Sequence, residues 1–132
     1  MAKAMKAKLL SFDMKDRPGL LSEVTTALAG AKVNITAICA YAWDDTAYFD
    51  MTTDSNAKAK KALSALKLKV DEEEVIAVEM ANRVGELQKV AKILVAEGIN
   101  ITYMYATTST GRTSTAIFST SDNRKAQRLI NR

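Results

Sequence analysis

DRPGLLSEVTTALAGAKVNIT at residues 16–36 and NRVGELQKVAKILVAEGINIT at residues 82–102 decide the fold of this chain of 132 residues. The second stretch begins 66 positions after the first, and residues 10–36 align with residues 76–102 without a gap. Nine of the 27 aligned pairs are identical, whereas average composition gives roughly two matches by chance. The chain is therefore an internal duplication, and its two copies predict the same elements.

Each copy opens with a strand and a loop that leads into a helix. Leu10, Phe12 and Met14 alternate with polar residues, which places them on one face of a strand. Asp16 can cap the start of the helix, and Pro18 fits its first turn because proline lacks the N–H that is unpaired there. The second copy has Ile76, Val78, Met80 and Asn82 at the corresponding strand and cap positions.

The helix of each copy has residues suited to burial at i, i+3, i+4 and i+7, the pattern of a helix with one buried face. Gly98 predicts a left-handed residue that ends the second helix. The first copy has Lys32 at that position, so a different helix end is expected there. The predicted faces comprise Leu21, Val24, Thr25 and Leu28 in the first copy and Leu87, Val90, Ala91 and Leu94 in the second.

After each helix, two extended runs joined by a turn precede a second helix. The turns fall at Asp44-Asp45 and at Ser109-Thr110-Gly111. A short strand at residues 66–70 is expected to close the first copy before residues 71–74 turn into the next one. The second copy ends without such a strand, so its fourth strand is missing or comes from elsewhere, including another chain. The apolar faces of the second helices comprise Ala59, Ala62, Leu63 and Leu66, and Ala126, Leu129 and Ile130.

This order of elements predicts an α+β fold with two tandem ferredoxin-like βαββαβ units, each an antiparallel sheet with both helices on one face. The units are expected at residues 1–71 and 72–132, the second lacking or borrowing its last strand. The extended run at residues 34–42 is apolar on both sides, which indicates a sheet covered on both faces by pairing of units or of chains. A homodimer is expected for that reason.

Composition excludes several classes of protein. The chain carries a net charge of +4 and a single cysteine, Cys39, which cannot form an internal disulfide. No apolar run reaches the roughly 18 residues of a membrane helix, and the N-terminal apolar stretch is too short for a signal peptide. We therefore expect a cytoplasmic protein, in which the Asn-Ile-Thr sequences at Asn34 and Asn100 are not glycosylated.

The absence of histidine removes the commonest general base near neutral pH, so no enzyme is expected. Asp13 and Glu79 occupy equivalent strand positions, but exposed strand charges explain them better than a catalytic pair does. The loop at residue 16 has no paired thiolates, so a soft-metal carrier is excluded and no cofactor is expected. The lysine-rich residues 57–69 leave nucleic-acid binding as an alternative. The small net charge disfavours it, and neither nucleic acid nor membrane is an expected partner.

The Asp-x-Pro-Gly-x-Leu loop at residues 16–21 and the Asn-Ile at residues 34–35, together with the strand order, resemble the ACT domain. This domain is a small regulatory module that typically senses amino acids. The resemblance covers essentially the whole chain as two tandem copies. It implies a stand-alone regulatory protein whose state is read by an enzyme or a transcription factor. The alternative is a structural module that binds a protein partner and no ligand.

The resemblance also implies a free amino acid ligand where two ACT units meet. The first loop of one unit then faces the start of the second strand of its neighbour. One site would comprise Asp16, Arg17, Pro18, Gly19, Leu20, Leu21, Asn100 and Ile101, and the other Asn82, Arg83, Val84, Gly85, Glu86, Leu87, Asn34 and Ile35.

Each part of such a site has a physical role. The helix start offers N–H groups to a carboxylate, glycine allows close approach of a ligand, and asparagine supplies a donor and an acceptor. Asp16 can accept a hydrogen bond from the ammonium group. Caps, tight turns and helix–sheet packing explain the same residues without a ligand. Glu86 places a competing carboxylate at the second helix start, so tighter binding is expected at the Asp16 loop.

Overall fold

The computed structural model describes residues 2–108 and 110–132, which form two compact units. The first unit comprises Lys8–Glu73, and the second comprises residues 2–7 together with Glu74–Arg132. Ser109, part of the predicted turn at residues 109–111, lies outside the described residues. The elements in chain order are β1 (Lys3–Lys15), α1 (Leu20–Gly30), β2 (Ile35–Trp43), β3 (Thr46–Thr53), α2 (Asn56–Ser64), β4 (Asp71–Ala81), α3 (Glu86–Ala96), β5 (Ile101–Thr107), β6 (Thr113–Thr120) and α4 (Asn123–Ile130).

Each unit is an antiparallel sheet with two helices on one face, which confirms the α+β, ferredoxin-like prediction. Neighbouring strands follow the order β2-β3-β1-β4 in the first unit and β1-β4-β6-β5 in the second. Leu10 lies opposite Met51 in the first unit, and Ile76 lies opposite Phe118 in the second. These residues point to the helix side of their sheets and form the two cores. Within the described part of the chain, none of the helices is long and apolar enough to span a bilayer.

Two strands are each divided between the units. β1 contributes residues 8–15 to the first unit and residues 3–7 to the second. β4 contributes residues 71–73 to the first unit and residues 74–81 to the second. The second unit therefore takes its fourth strand from the N-terminal end of the same chain.

The predicted boundaries of the first unit differ from the structure at both ends. Its fourth strand was expected at residues 66–70, which is wrong, because the strand begins at Asp71. Lys67 has a φ of 62°, a left-handed conformation that interrupts an extended run. The acidic residues 71–74 begin β4, where the sequence predicts a turn. Residues 2–7, expected in the first unit, belong to the second.

Asn131 fastens the N-terminal strand into the second unit. The Ala4 N–H donates to Asn131 Oδ1 at 2.7 Å, and Asn131 Nδ2 donates to the Ala4 carbonyl at 2.9 Å. Ala4 is buried in the core of the second unit with Ile76 and Val78. One side chain at the end of α4 thus satisfies both backbone groups of a residue 127 positions away.

The buried faces of α1 and α3 differ from the prediction by one position in the first turn. Leu21 and Leu87, predicted as core residues, are 54% and 43% exposed. That part of the prediction is wrong because both helices begin directly after a loop glycine, which turns residues 20 and 86 toward the sheet. The buried residues are Leu20, Val24 and Leu28 in α1 and Glu86, Val90 and Leu94 in α3.

The helices α1 and α3 end in the same way, against the prediction for the first copy. Gly98 has a φ of 69°, as predicted for a left-handed end, and Lys32 has a φ of 59°. The N–H of Val33, which follows Lys32, donates to the Leu28 carbonyl at 3.0 Å. The N–H of Ile99, which follows Gly98, donates to the Leu94 carbonyl at the same distance. These hydrogen bonds hold a lysine in a conformation that its β-carbon disfavours.

Replacing Lys32 by glycine is expected to raise the free energy of unfolding by about 1 kcal/mol, because glycine adopts the left-handed conformation without strain. Chemical denaturation followed by circular dichroism measures this change. The reciprocal substitution Gly98→Lys is expected to lower stability by a similar amount. A Lys32→Gly variant no more stable than the unmodified protein would contradict the assignment.

The substitution Asn131→Ala is expected to destabilise the second unit by about 2 kcal/mol, because two buried backbone groups lose their partner. Hydrogen exchange should show faster exchange for residues 3–7 and for their neighbours in β4. Ser64 lies at the end of α2, a position comparable to that of Asn131 at the end of α4. The Ser64 hydroxyl donates to the Lys61 carbonyl of its own helix rather than to a strand. Ser64→Ala is therefore the matched control, and an equal loss of protection in both variants would exclude the strand-fastening role.

Candidate functional site

The loop at residues 16–19 joins β1 to α1 and contains the first group of predicted site residues. Gly19 precedes the helix with φ 92° and ψ −2°, and no side chain caps the helix start. The prediction that Asp16 caps α1 is therefore wrong, and Pro18 lies before the helix and not in its first turn. The Asp16 N–H donates to the Asp45 carbonyl at 2.8 Å, which ties the loop to the β2–β3 hairpin.

Gly19 and its counterpart Gly85 are required by their backbone conformation. Gly85 precedes α3 with φ 86° and ψ −3°, close to the values at Gly19. An added Cβ at either glycine meets no atom within 4 Å. Close helix–sheet packing therefore does not explain these glycines, whereas a positive φ does. A left-handed glycine therefore precedes both α1 and α3 at equivalent positions.

A groove of about 240 Å³ lies beside the first loop. Residues of the loop and the first turn of α1 form one side, and the last residues of β2 form the other. Two residues of β3 also line it. The lining residues are Asp16, Arg17, Gly19, Leu20, Leu21, Ala40, Tyr41, Ala42, Ala47 and Phe49.

The charges at the first groove leave one carboxylate unpaired. Arg17 binds both carboxylate oxygens of Glu23 through its two terminal nitrogens. The hydrogen bond from Arg17 lowers the pKa of Glu23. The Asp16 side chain has neither a hydrogen bond nor an ion pair with any residue among 2–108 and 110–132. Asp16 is thus available to a cationic group, whereas Arg17 is already paired.

The second loop, residues 82–85, has the same position in its own unit. The Asn82 N–H donates to the Arg112 carbonyl at 2.8 Å, and Asn82 Nδ2 donates to the Gly111 carbonyl at 2.9 Å. Asn82 therefore does not cap α3 as predicted, because its amide group is turned to the β5–β6 connection. Val84 is fully exposed where the first loop has proline.

A corresponding groove of about 200 Å³ lies beside the second loop. Glu86, the first residue of α3, occupies the position of Leu20 and is only 7% exposed. Its Oε2 lies 2.8 Å from Lys89 Nζ and 4.0 Å from Arg83 Nη2. The residues that line this groove are Met80, Ala81, Asn82, Arg83, Glu86, Leu87, Ala106, Thr107, Thr108 and Ser114.

The buried carboxylate of Glu86 remains ionised because of its cationic partners. The hydrogen bond from Lys89 lowers the pKa of Glu86, and the charges of Lys89 and Arg83 act in the same direction. Burial alone would raise it, since removal from water penalises the charged form. Glu86 is therefore ionised at neutral pH, and Lys89 and Arg83 balance its charge.

Asn34 and Asn100 stand at equivalent corners in front of β2 and β5. The Asn34 N–H donates to Asp54 Oδ1 at 2.9 Å, and the Asn100 N–H donates to Ser121 Oγ at 3.0 Å. Both corners are thus built by backbone bonds, and both asparagine side chains are exposed. Within the described chain, neither side-chain amide has a hydrogen-bond partner. The explanation that these side chains satisfy a tight turn is wrong.

The loop and the asparagine of the same unit are not brought together. The first loop lines a groove together with residues 40–42, whereas Asn34 stands before Ile35 at the opposite end of β2. At about 3.3 Å per residue, these ends of the strand are about 20 Å apart. The same separation holds for the second loop and Asn100 along β5. One unit alone therefore cannot supply both halves of the predicted site.

Sequence reasoning missed the strand wall of each groove and a further groove at the Asn100 corner. The end of β2 lines the first groove because β2 pairs with β3, which in turn pairs with β1. The predicted hairpin at Asp44-Asp45, combined with the pairing of β3 with β1, indicates that the end of β2 lies near the first loop. The groove at Asn100 has a volume of about 370 Å³ and is lined by Gln88, Ala91, Lys92, Leu94, Val95, Ile99, Asn100 and Ile101.

Two comparisons with known proteins relate the chain to a family. Residues 8–67 match the family model of the ACT domain. Protein BT0572 from Bacteroides thetaiotaomicron is 31% identical to this chain, and its crystal structure superposes with a TM-score of 0.87 over 96% of this chain and 87% of that one. The chain belongs to the same family as BT0572, and residues 8–67 are an ACT domain. This ACT domain lies within the first unit.

Other solved structures share the fold of the ACT protein at lower identity. The ligand-free regulatory subunit of aspartate kinase from Thermus thermophilus is 16% identical, with a TM-score of 0.72 over 98% of this chain and 93% of that one. The aspartokinase alpha and beta subunits are 21% identical, with a TM-score of 0.69 over 97% of this chain and 93% of that one. A search of curated proteins gives no significant match.

Removing the amine of Lys89 by Lys89→Met is expected to raise the pKa of Glu86. Titration of the Glu86 side-chain carbon by NMR measures it directly, and Lys92→Met, one turn further along α3, is the control that should leave it unchanged. The folded-state pKa of Glu86 is lowered, so its contribution to stability is present above the unfolded value of about 4.3 and is lost as the pH falls through the folded value. Equal acid sensitivity in both variants would exclude the Lys89 contact.

Proposed function

We propose that this chain is a regulatory protein that binds a free amino acid at the groove beside Asp16 and Gly19 and catalyses no reaction. The ACT domain at residues 8–67 supports a regulatory role, because the domain is a regulatory module. The observation that carries the proposal is the unpaired carboxylate of Asp16 beside a helix start that no side chain caps. The ammonium group of a zwitterion matches the Asp16 carboxylate, and its carboxylate matches the helix start.

The proposed contacts follow from the chemistry of an α-amino acid. The first N–H groups of α1 have no partner within the helix and favour the ligand carboxylate. The Asp16 carboxylate accepts hydrogen bonds from the ligand ammonium. We further propose that Asn100 and Ile101 complete the site where two ACT units meet, since the Asn100 amide offers both a donor and an acceptor. By the same repeat, we propose that the second loop lies opposite Asn34 and Ile35.

We propose that the second unit is also an ACT unit, so that the protein is a tandem of two. Its element order repeats that of the first unit, and its loop glycine has the same conformation. Ligand binding would then stabilise one arrangement of the units, and a regulated enzyme or transcription factor would respond to that state.

A cytoplasmic homodimer is part of the same proposal. Trp43 and Tyr41, at the end of the edge strand β2, are 74% and 54% exposed. Tyr41 stacks on Tyr48 with ring centroids 5.3 Å apart, which fixes an aromatic surface at the sheet edge. Exposed aromatic side chains on an edge strand favour association with another chain.

A thermal-shift screen against the twenty standard amino acids tests the proposed function. An amino acid that binds the folded protein raises its melting temperature. The substitution Asp16→Asn is expected to weaken binding of the best amino acid about tenfold, because a charged hydrogen bond to the ammonium becomes a neutral one. Isothermal titration calorimetry measures the change, and Asn100→Ala is expected to act in the same direction.

Asp13→Asn is the matched control, since Asp13 is an exposed carboxylate of β1 that lies outside the groove. Its affinity for the amino acid should equal that of the unmodified protein. The absence of a shift with any amino acid would reject the ligand-binding proposal in favour of a structural module. Equal weakening by Asp13→Asn and Asp16→Asn would reject the assignment of the site.

A further inference from the structure

The two loops are built alike but differ in the side chain that follows the glycine. Leu20 is the first residue of α1, and Glu86 is the first residue of α3. We propose that the Glu86 carboxylate keeps the second groove from binding an amino acid, so that each chain binds one ligand molecule and not two. This inference rests on the proposed function of the Asp16 groove.

Glu86 is the first residue of α3, so a ligand carboxylate at this helix start would lie beside it. The N–H groups and the dipole of a helix start favour one negative charge there. Glu86 supplies that charge from within the chain, on a side chain that is 7% exposed and lines the groove. A second carboxylate in the same groove would compete with Glu86 for Lys89 and Arg83.

The cations near the second groove are already paired. Lys89 Nζ lies 2.8 Å from Glu86 Oε2, and Arg83 Nη2 lies 4.0 Å from the same oxygen. Both cations already bind the Glu86 carboxylate, so a ligand carboxylate would have to share or replace these contacts. These two side chains thus hold Glu86 in the groove.

The ammonium end of an amino acid also lacks its partner in the second groove. Asn82 stands where the first loop has Asp16, and a neutral amide replaces a carboxylate. The Nδ2 group of Asn82 donates to the Gly111 carbonyl at 2.9 Å, which orients the amide toward the β5–β6 connection. The second groove therefore differs from the first both where a ligand carboxylate would lie and where a ligand ammonium would lie.

The first groove shows the opposite arrangement. Leu20 is 5% exposed and brings no charge to the helix start. Glu23, the counterpart of Lys89, pairs with Arg17, and both side chains are about half exposed. The carboxylate of that pair thus lies at the surface, one turn beyond the helix start, while Asp16 stays unpaired. Exchanging three residues between the loops exchanges the two arrangements.

Calorimetric stoichiometry tests the inference, with the amino acid that gives the largest thermal shift in the screen as the probe. The unmodified protein is expected to bind one molecule per chain. A variant with Asn82→Asp, Glu86→Leu and Lys89→Glu carries the first-loop residues in the second loop and is expected to bind two. The reciprocal variant with Asp16→Asn, Leu20→Glu and Glu23→Lys is expected to bind none. Glu79→Gln, on β4 outside the grooves, serves as the control and should still bind one.

The outcomes separate this inference from the proposed function. Two molecules bound per unmodified chain would overturn the inference and leave the proposed function standing. Binding of no amino acid by the unmodified protein would overturn both. A folded second-loop variant that still binds one molecule would overturn the role of Glu86. If that variant does not fold, as judged by circular dichroism, the stoichiometry of the unmodified protein and of the reciprocal variant decides.

Discussion

The division of β1 and β4 between the two units is the constraint on which the rest of the structure depends. A split βαββαβ unit needs four strands, and each copy in this chain brings only three and a fraction of the fourth. Each unit completes its sheet with the first or last residues of a strand that the other unit also uses. The buried Ala4, with both backbone groups bound by Asn131, shows that the borrowed residues are part of the core. Each unit therefore needs part of β1 and part of β4 to have four strands.

The second constraint is the left-handed glycine before α1 and α3. Because Gly19 and Gly85 turn the backbone at the end of the loop, each helix begins at the next residue without a side-chain cap. This places residues 20 and 86 against the sheet and residues 21 and 87 at the surface. The residue at the inward position, Leu20 or Glu86, then decides whether an apolar side chain or a carboxylate lies beside the helix start. A single backbone geometry, repeated twice, thus supports two chemically different grooves.

Much of this architecture could be predicted from the sequence because the repeat doubles every signal. The strand alternation and the helical spacing predicted all ten elements, but missed residues 3–7 of β1 and residues 71–74 of β4. The start of β4 was missed because lysine, the residue type at the left-handed position 67, does not signal a break. The end of α1 was missed for the same reason, since backbone hydrogen bonds overrode the preference of Lys32. The inward turn of Glu86 was missed because helical periodicity favours leucine over glutamate as the buried residue. The loop residues of each groove were predicted, whereas the β2 and β5 walls depended on strand pairing across the hairpins.

The bond between Ala4 and Asn131 also bears on how the chain is made. A ribosome releases residues from the N-terminal end first, so residues 3–7 emerge long before α4 exists. Until β4 and then Asn131 have been synthesised, this segment lacks partners for its backbone groups and presents an open template to other chains. Closing a loop of this length comes late in folding, because such distant contacts are slow to form. Vectorial synthesis therefore leaves the second unit unfinished until the last helix is released.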